Sequence, residues 1–348
     1  MGAYLYVAGS TAHLCRGRLG AIIPAVIQIA SAIPREELSG SSAASAGRLS
    51  ARIEYREEPC RAALNRVSGM DFEWSLNPYM GCAHRCTFCY VRGFEKRADR
   101  ASDDAYGRSI RVKINVAEVL EAELRRPSWK RDFVLIGAAT DPYQPAEGRY
   151  RLTRACLEKL GQSRTPFSII TRGPMIARDV DVLQAAAKRC AVSVSFSIPT
   201  LDERVWSRTE PGTAHPRQRL RALTALVEGG VRAGVAIAPV LPGLSDSADS
   251  IERVVREARD AGACSVWIAP VNLRAGTREH FLAALGRDWP ELLPLYGELF
   301  AGRDYLPARF GADLNSRLEA LRRHYGIADR RSLRLGPPAE PAQMELGV

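Results

Sequence analysis

From about residue 54 onward, short apolar runs that fit buried strands alternate with amphipathic stretches that fit helices. Apolar residues spaced three and four apart indicate a helix, whereas a short alternating or continuous apolar run indicates a strand. The predicted strands span residues 74–79, 133–139, 167–171, 192–198, 231–240 and 264–269. The predicted helices span residues 116–126, 152–160, 180–188, 217–228 and 250–259, and further helices fit residues 276–326.

Strands and helices that alternate in this order predict an α/β fold in which parallel strands are joined by right-handed crossovers. Closed and partly closed parallel barrels carry their chemistry at the carboxyl ends of the strands. We therefore look for candidate site residues directly after each predicted strand.

The two ends of the chain differ from this regular middle. Near the N-terminus an apolar stretch (residues 19–33) and a Ser/Ala/Gly-rich tract (residues 39–47) partly fit a signal peptide, but the apolar stretch starts late. We interpret residues 1–50 as a poorly ordered extension outside the core, residues 51–300 as the core, and residues 301–348 as a C-terminal helix and a loose tail. Because no uncharged run of 18 apolar residues is present, we predict no membrane-spanning helix.

The chain is basic, with a formal net charge of +10. A basic balance is consistent with a nucleic-acid partner. The excess comes mainly from Arg, however, and the chain is rich in Arg and Ala throughout, so a compositional bias explains the charge equally well.

Eight cysteines are present, and three of them, Cys82, Cys86 and Cys89, fall within eight residues. The other five are scattered singly, which is not the pattern of a disulfide framework. Clustered thiols in a chain of this length favour a metal or cluster site in a reducing compartment, so we expect a cytoplasmic protein.

Three closely spaced thiolates on a loop can bind one iron–sulfur cluster. A [4Fe-4S] cluster with three protein ligands has one open iron, and an open position separates catalytic from structural metal sites. Two alternatives remain: the i, i+4, i+7 spacing also fits one packed face of a helix, and zinc can bind cysteines. His84 lies between the thiols, and we interpret it as a surface residue.

The arrangement C-x-x-x-C-x-aromatic-C, with Phe88 as the aromatic residue, resembles the signature of the radical S-adenosylmethionine (SAM) superfamily. The resemblance implies a partial (β/α)6 TIM-type barrel with extra C-terminal helices. It also implies a [4Fe-4S] cluster whose open iron chelates SAM. One-electron reduction would then yield a 5′-deoxyadenosyl radical that abstracts hydrogen from the substrate. A reductase such as flavodoxin or ferredoxin would supply the electron.

The strand ends provide candidate SAM contacts. Thr140 and Asp141 follow residues 133–139 and offer polar groups to the SAM ammonium, although an ordinary Asp-Pro turn is the alternative. Arg172 follows the next strand and can pair with the methionine carboxylate in bidentate fashion. Ser197, near the end of strand 192–198, is a candidate ribose contact, and backbone groups of residues 235–243 would line the adenine.

Several short motifs narrow the resemblance: Cys89-Tyr90, the strand-end pairs Thr140-Asp141 and Thr171-Arg172, Phe196-Ser197-Ile198-Pro199, and Thr209-Glu210-Pro211 before a basic helix. With these features the chain looks most like the spore photoproduct lyase group of DNA-repair proteins within the superfamily. In those lyases a cysteine at the second strand end donates a hydrogen atom, together with tyrosines beside the last cluster cysteine. Ala138 and Ala139 occupy that strand end here, and Phe88 replaces one tyrosine, whereas Tyr90 is retained as the candidate catalytic residue. Cys60 or Cys264 could supply a thiol instead, although a buried inert cysteine is the better interpretation of each.

Two other functions compete. One is radical SAM modification of RNA or of a protein side chain, and the other is a non-catalytic protein that binds a cluster or zinc. Two basic segments could contact nucleic-acid phosphates, although a solvated face is the simpler interpretation. They are a helix over residues 216–228 with Arg217, Arg219 and Arg221, and a loop over residues 92–100 with Lys96 and Arg97.

Overall fold

The computed structural model describes residues 53–330 of the chain. Its strands are β1 (Glu54–Glu58), β2 (Leu64–Arg66), β3 (Trp74–Leu76), β4 (Tyr79–Met80), β5 (Ser109–Lys113), β6 (Val134–Ile136), β7 (Phe167–Thr171), β8 (Val192–Ser197), β9 (Ala233–Val240) and β10 (Val266–Pro270). Its helices are α1 (Val91–Arg97), α2 (Val116–Leu124), α3 (Pro145–Tyr150), α4 (Leu152–Gln162), α5 (Val180–Ala187), α6 (Glu203–Thr209), α7 (Pro216–Glu228), α8 (Ala248–Asp260), α9 (Thr277–Asp288), α10 (Leu293–Leu299) and α11 (Ala308–Tyr325).

Seven strands form the main sheet in the order β10-β9-β8-β7-β6-β3-β2. The edge strand β2 pairs antiparallel with β3, and every other neighbouring pair is parallel. The six parallel strands are the six that the sequence predicts, and helices lie between most of them. The prediction of a parallel α/β sheet is therefore confirmed.

The alternating pattern of β8 shows how this sheet separates its two faces. Val192, Val194 and Phe196 are buried in the hydrophobic core. The intervening Ser193, Ser195 and Ser197 line the central cavity. Since successive side chains of a strand point to opposite faces, the period-two sequence gives an apolar face against the helices and a polar face toward the cavity.

A second sheet of three strands, in the order β1-β5-β4, was not predicted from the sequence. Most positions of β1 and β5 are charged or polar, and Ile110 and Val112 supply the buried side of β5. This composition resembles that of a surface loop. The sheet is functionally relevant because β4 leads directly into the cysteine loop.

Residues 92–100, predicted as a loop, instead contain most of helix α1. A glycine within a helix costs about 1 kcal/mol relative to alanine, and Gly93 therefore weakens the helical pattern. A Cβ atom at Gly93 would lie 3.1 Å from the carbonyl oxygen of Ala275. The glycine thus permits close packing of α1 against the segment before α9, an interaction that local sequence does not reveal.

Helix α7 contains three arginines that were predicted as possible phosphate contacts, and the prediction is wrong for one of them. Arg217 and Arg221 are exposed, but Arg219 is 0% exposed and its Nη2 donates to Oε2 of Glu210 at 2.8 Å. Arg219 therefore cannot contact a phosphate. The helical spacing alone gave no sign that a buried carboxylate lies opposite this position.

The C-terminal helices are present as predicted, and α11 packs on the barrel through the buried side chains Leu314 and Leu318. Ala328 continues onto the sheet and forms a parallel bridge with Ser265. The extension predicted over residues 1–50 and most of the predicted tail lie outside the described residues. No helix in the described part of the chain is both long enough and apolar enough to cross a membrane.

A buried carboxylate joins the second sheet to the helices around the barrel. Glu147 is 0% exposed. It accepts hydrogen bonds from the Tyr79 hydroxyl at 2.5 Å, from the backbone N–H of Thr153 at 2.9 Å and from Nη2 of Arg178 at 3.1 Å. Removing the carboxylate would leave several buried donors unpaired.

We expect Glu147→Leu to lower the free energy of unfolding by about 3–5 kcal/mol, because it breaks a buried network by removing one partner. The matched control is Glu158→Gln, which breaks a half-exposed pair with Arg154 on one helix and should cost no more than about 0.5 kcal/mol. Urea denaturation of the cluster-free protein measures both. Equal losses in the two variants would contradict the structural role of Glu147.

Candidate functional site

The three clustered cysteines lie on the loop between β4 and α1 and face one large cavity. Cys82 and Cys86 are buried, Cys89 is half-buried, and all three are free thiols. The cavity has a volume of about 750 Å³. The predicted site residues that also line it are Tyr90, Thr140, Asp141, Arg172 and Ser197. The structure therefore brings the cysteine loop and the strand ends together in one site.

Side chains from the end of β6 hold the cysteine loop in place. The Thr140 hydroxyl donates to the carbonyl oxygen of Gly81 at 2.7 Å. The Gln144 amide donates to the same carbonyl at 3.1 Å, and its oxygen accepts from the backbone N–H of Ala83 at 3.0 Å. Thr140 thus lines the cavity while its hydroxyl anchors the loop.

The turn after β6 depends on a glycine. Gly137 has a φ of 92°, in the left-handed region that favours glycine. A Cβ atom there would lie 2.3 Å from the carbonyl oxygen of Ile170 on the neighbouring strand β7. Gly137 therefore permits the close approach of two strands, and this turn directs Thr140 and Asp141 toward the cysteine loop.

Asp141 is the most heavily bonded carboxylate of the site. Its Oδ1 accepts from the Thr171 hydroxyl at 2.7 Å and from the backbone N–H of Tyr143 at 2.8 Å. Its Oδ2 accepts from the backbone N–H of Arg172 at 2.6 Å and lies 3.3 Å from Nδ1 of His84. Asp141 thereby connects the ends of β6 and β7 to the cysteine loop.

His84 is 4% exposed, so its interpretation as a surface residue was wrong. The sequence places it between cysteines, but only the fold shows that a carboxylate lies beside it. Its Nδ1 makes no well-aligned hydrogen bond within the described residues, which makes its contact with Asp141 mainly electrostatic.

The charges around His84 favour a thiolate at Cys82. Burial would lower the pKa of His84, but the Cys82 and Asp141 charges outweigh burial and raise this pKa to about 10. Burial would raise the pKa of Asp141, yet His84 and the hydrogen bonds to the carboxylate hold that pKa at about 2. The imidazole also lowers the pKa of the Cys82 thiol, against the effect of burial. The thiolate is the form of cysteine that binds metals.

Arg172 extends from the end of β7 and is already partly engaged. Its Nε donates to Oε1 of Glu210 at 2.5 Å, and its Nη2 donates to the carbonyl oxygen of Ala238 at 3.2 Å. Its guanidinium lies 5.5 Å from the centre of the Phe88 ring. Burial opposes ionisation of Glu210, but Arg219 and Arg172 lower the pKa of its carboxyl and keep it charged. Glu210 was not among the predicted site residues.

Tyr90 lies at the edge of the cavity and is 38% exposed. Its hydroxyl donates a short hydrogen bond to the carbonyl oxygen of Ala138. This hydrogen bond places Tyr90 beside Ala138, in the turn after β6. Of the two other cysteines considered, Cys264 lines the cavity and Cys60 is not among its lining residues.

Two further residues behind the cysteines were missed by the sequence reasoning. The Tyr106 hydroxyl lies 3.6 Å from Sγ of Cys89, and Tyr106 is 3% exposed. Arg92 is 1% exposed, lies 4.6 Å from the centre of the Tyr106 ring, and donates from Nη1 to the carbonyl oxygens of Ser102 and Asp103. These contacts fold residues 102–106 against the cysteine loop, and no local sequence signal indicates this approach.

The donor set fits an iron–sulfur cluster. Three free thiols of one loop face a common cavity, and one of them has a neighbour that favours its thiolate form. Within residues 53–330, no three His, Cys, Asp or Glu side chains converge tightly enough to hold a single metal ion. A [4Fe-4S] cluster does not need such convergence, since each thiolate binds a different iron.

Comparison with known proteins agrees with this site. The family model of the Radical SAM superfamily matches residues 76–258, just over half of the chain. The chain therefore belongs to the radical SAM superfamily, and it is an enzyme that uses a [4Fe-4S] cluster and SAM.

An uncharacterized protein of Mycobacterium tuberculosis is 38% identical over 279 residues, which cover 79% of this chain and 82% of the relative. A radical SAM Nalpha-GlyT isomerase of Pseudomonas phage M6 is 23% identical over 172 residues, which cover 48% of this chain and 33% of that protein.

A solved structure of a spore photoproduct lyase variant, with bound AdoMet and dinucleoside spore photoproduct, is similar with a TM-score of 0.59. The match covers 78% of this chain and 79% of that chain at 14% sequence identity. At this identity the likeness concerns the fold. Together with the parallel sheet, it confirms the predicted partial TIM-type barrel.

Proposed function

We propose that the chain binds its [4Fe-4S] cluster through Cys82, Cys86 and Cys89 and acts on a nucleic-acid substrate held in the adjoining cavity. The observation that carries this proposal is that the three free thiols and the polar strand ends face the same cavity. When bound, the cluster and SAM supply a 5′-deoxyadenosyl radical that abstracts a hydrogen atom from the substrate. The protein supplies binding, orientation and exclusion of water.

Different residues around the cavity would bind different parts of SAM. Nε of Arg172 and one N–H of its Nη2 are engaged within the protein. A bidentate pairing with the methionine carboxylate would therefore use Nη1 and the second N–H of Nη2. Asp141 would place its negative carboxylate beside the SAM ammonium, and Thr140 would place a polar group there. Ser197 is 3% exposed and lines the cavity, where its hydroxyl would contact the ribose.

Tyr90 is the proposed catalytic residue: its hydroxyl would give a hydrogen atom to the product radical. The tyrosyl radical left behind would return to tyrosine by taking one electron from the external reductant and one proton from water. Tyr90 lies beside Ala138, where neither Ala138 nor Ala139 offers a thiol. Tyr90 lines the cavity and is 38% exposed, as a residue that meets a substrate must be. Cys264 is the alternative donor from the same cavity.

A nucleic acid is favoured as substrate by arginine–aromatic pairs near the cavity. Arg97 lies 4.8 Å from the centre of the Phe94 ring on α1, the helix that follows Tyr90. Arg274 lies 5.4 Å from the centre of the Tyr305 ring, and Tyr305 bridges to a cavity residue, Asn272. Phe94 and Tyr305 are exposed at 37% and 53%. Exposed aromatic rings beside cations are typical of surfaces on which bases stack and phosphates bind.

The similar solved structure carries a dinucleoside photoproduct, which is compatible with this substrate class. The missing thiol at Ala138 and Ala139 argues that the hydrogen relay here differs from the one that the photoproduct lyases use.

The proposed function is tested by anaerobic reconstitution with iron and sulfide, followed by SAM and dithionite. We expect the wild type to form 5′-deoxyadenosine and Cys86→Ala to lose both the cluster absorbance and the product, because two thiolates do not hold a catalytic cluster. Cys190→Ala is the matched control, since Cys190 is buried in the core and bonds only to a backbone carbonyl. Unchanged iron content in Cys86→Ala would contradict the proposed ligation.

A salt titration tests the substrate class. We expect the affinity for single-stranded and duplex oligonucleotides to fall steeply with salt, because phosphate contacts release counterions. Arg97→Ala and Arg274→Ala should each reduce the slope of log K against log salt by about 0.7–0.9. Arg189→Ala is the control, since this exposed residue lies three positions before β8 begins at Val192, at the amino-terminal end of that strand. A slope near zero, or equal effects of all three variants, would favour a protein substrate.

A further inference from the structure

Two of the three candidate cluster ligands have a buried hydrogen-bond donor beside them that the binding of SAM and substrate does not use. The first is Tyr106, whose hydroxyl lies 3.6 Å from Sγ of Cys89. A thiolate bound to iron has no proton, so the phenol must be the donor in this contact. The ring is fixed from the other side by Arg92, which lies 4.6 Å from the ring centre.

The second donor is His84. Its Nδ1 lies 3.3 Å from the Asp141 carboxylate, and its side chain lines the cavity together with Cys82, two residues earlier in the loop. Asp141 is itself fixed by the Thr171 hydroxyl and by two backbone N–H groups. The carboxylate lies on the Nδ1 side of the ring, as carboxylates do for histidines near metals, and Nε2 is the other ring nitrogen from which a hydrogen bond can be donated.

Both donors are buried where electrostatic effects are strong. Tyr106 is 3% exposed and His84 is 4% exposed. Water competes little for either group, and a charge is screened less in such surroundings than at the surface. Reduction of the cluster by one electron adds one negative charge to this site. Hydrogen bonds to cluster sulfurs stabilise that charge and help set the reduction potential.

The third candidate ligand, Cys86, is influenced by the charge of an arginine. Burial raises the pKa of the Cys86 thiol, and the charge of the Arg172 guanidinium opposes that rise only in part. Because Arg172 is proposed to bind the SAM carboxylate, its electrostatic effect on Cys86 changes when SAM binds. Tyr106 and His84 line the cavity beside the loop, and neither is proposed to contact SAM directly.

We propose that Tyr106 and His84 are positioning residues that donate hydrogen bonds to the Cys89 and Cys82 thiolates and thereby raise the reduction potential of the cluster. This inference rests on the proposed ligation of the cluster by these cysteines. Because of the higher potential, an external reductant can reduce the cluster more readily than it could without these two hydrogen bonds. No bond is made or broken in this step, and the electron comes from the external reductant.

The test is a redox titration of the reconstituted full-length enzyme without SAM, followed by electron paramagnetic resonance of the reduced cluster. Tyr106→Phe removes only the hydroxyl, and His84→Leu removes the imidazole donor. We expect each to change the ratio of oxidised to reduced cluster at a fixed potential by about tenfold toward the oxidised form, the size expected for a hydrogen bond to a charged group. A tenfold change is about 59 mV for one electron.

Two further variants separate this role from a general structural one. His84→Gln keeps an amide donor at a similar reach and should return most of the potential lost in His84→Leu. Tyr143→Phe removes a buried tyrosine hydroxyl that bonds to Asp179, away from the cysteines, and should leave the potential at the wild-type value.

The outcomes are distinct. Lower potentials in Tyr106→Phe and His84→Leu, with a wild-type value in Tyr143→Phe, support the proposal. Wild-type potentials in the first two variants overturn it while leaving the proposed function intact. If the wild type forms no cluster, the proposed function and this inference both fail. If His84→Leu does not assemble a cluster, the isosteric Tyr106→Phe decides the question alone.

Discussion

The buried carboxylate of Asp141 is the contact on which the rest of the site depends. It accepts hydrogen bonds from the end of β7 and lies against His84 of the cysteine loop. An ionised carboxylate is costly to bury unless it is fully bonded. The strands and the loop must therefore take up this relative arrangement together, and the cysteines acquire their position from the sheet.

A second buried network holds Arg172 beside the cysteine loop. Glu210 pairs with both Arg172 and Arg219, so two arginines share one carboxylate. Arg172 also rests on Phe88 of the cysteine motif. The aromatic position of the motif thus acts as a support for the arginine that is proposed to hold SAM, which links the signature sequence to a strand end far away in the chain.

The sequence alone predicted the parallel sheet because its strands are buried and strongly apolar, and β8 even revealed its polar inner face. It also placed the cysteines and the strand-end residues at one site. The second sheet was missed because its strands are short and mostly charged. His84, Tyr106, Glu210 and Arg219 were missed or misinterpreted because each acquires its role from a partner far away in sequence, and residue type with local spacing carries no information about such partners.

The central claim is that three cysteines leave one iron of the cluster open to SAM. The most direct measurement is electron–nuclear double resonance of the reduced cluster with SAM labelled by ¹⁵N at the amino group and by ¹³C at the carboxylate. The account predicts hyperfine coupling of both labels to the cluster, as expected for direct chelation. A cluster that forms but shows no coupling to either label would mean that a fourth protein ligand occupies the site, and it would contradict the account.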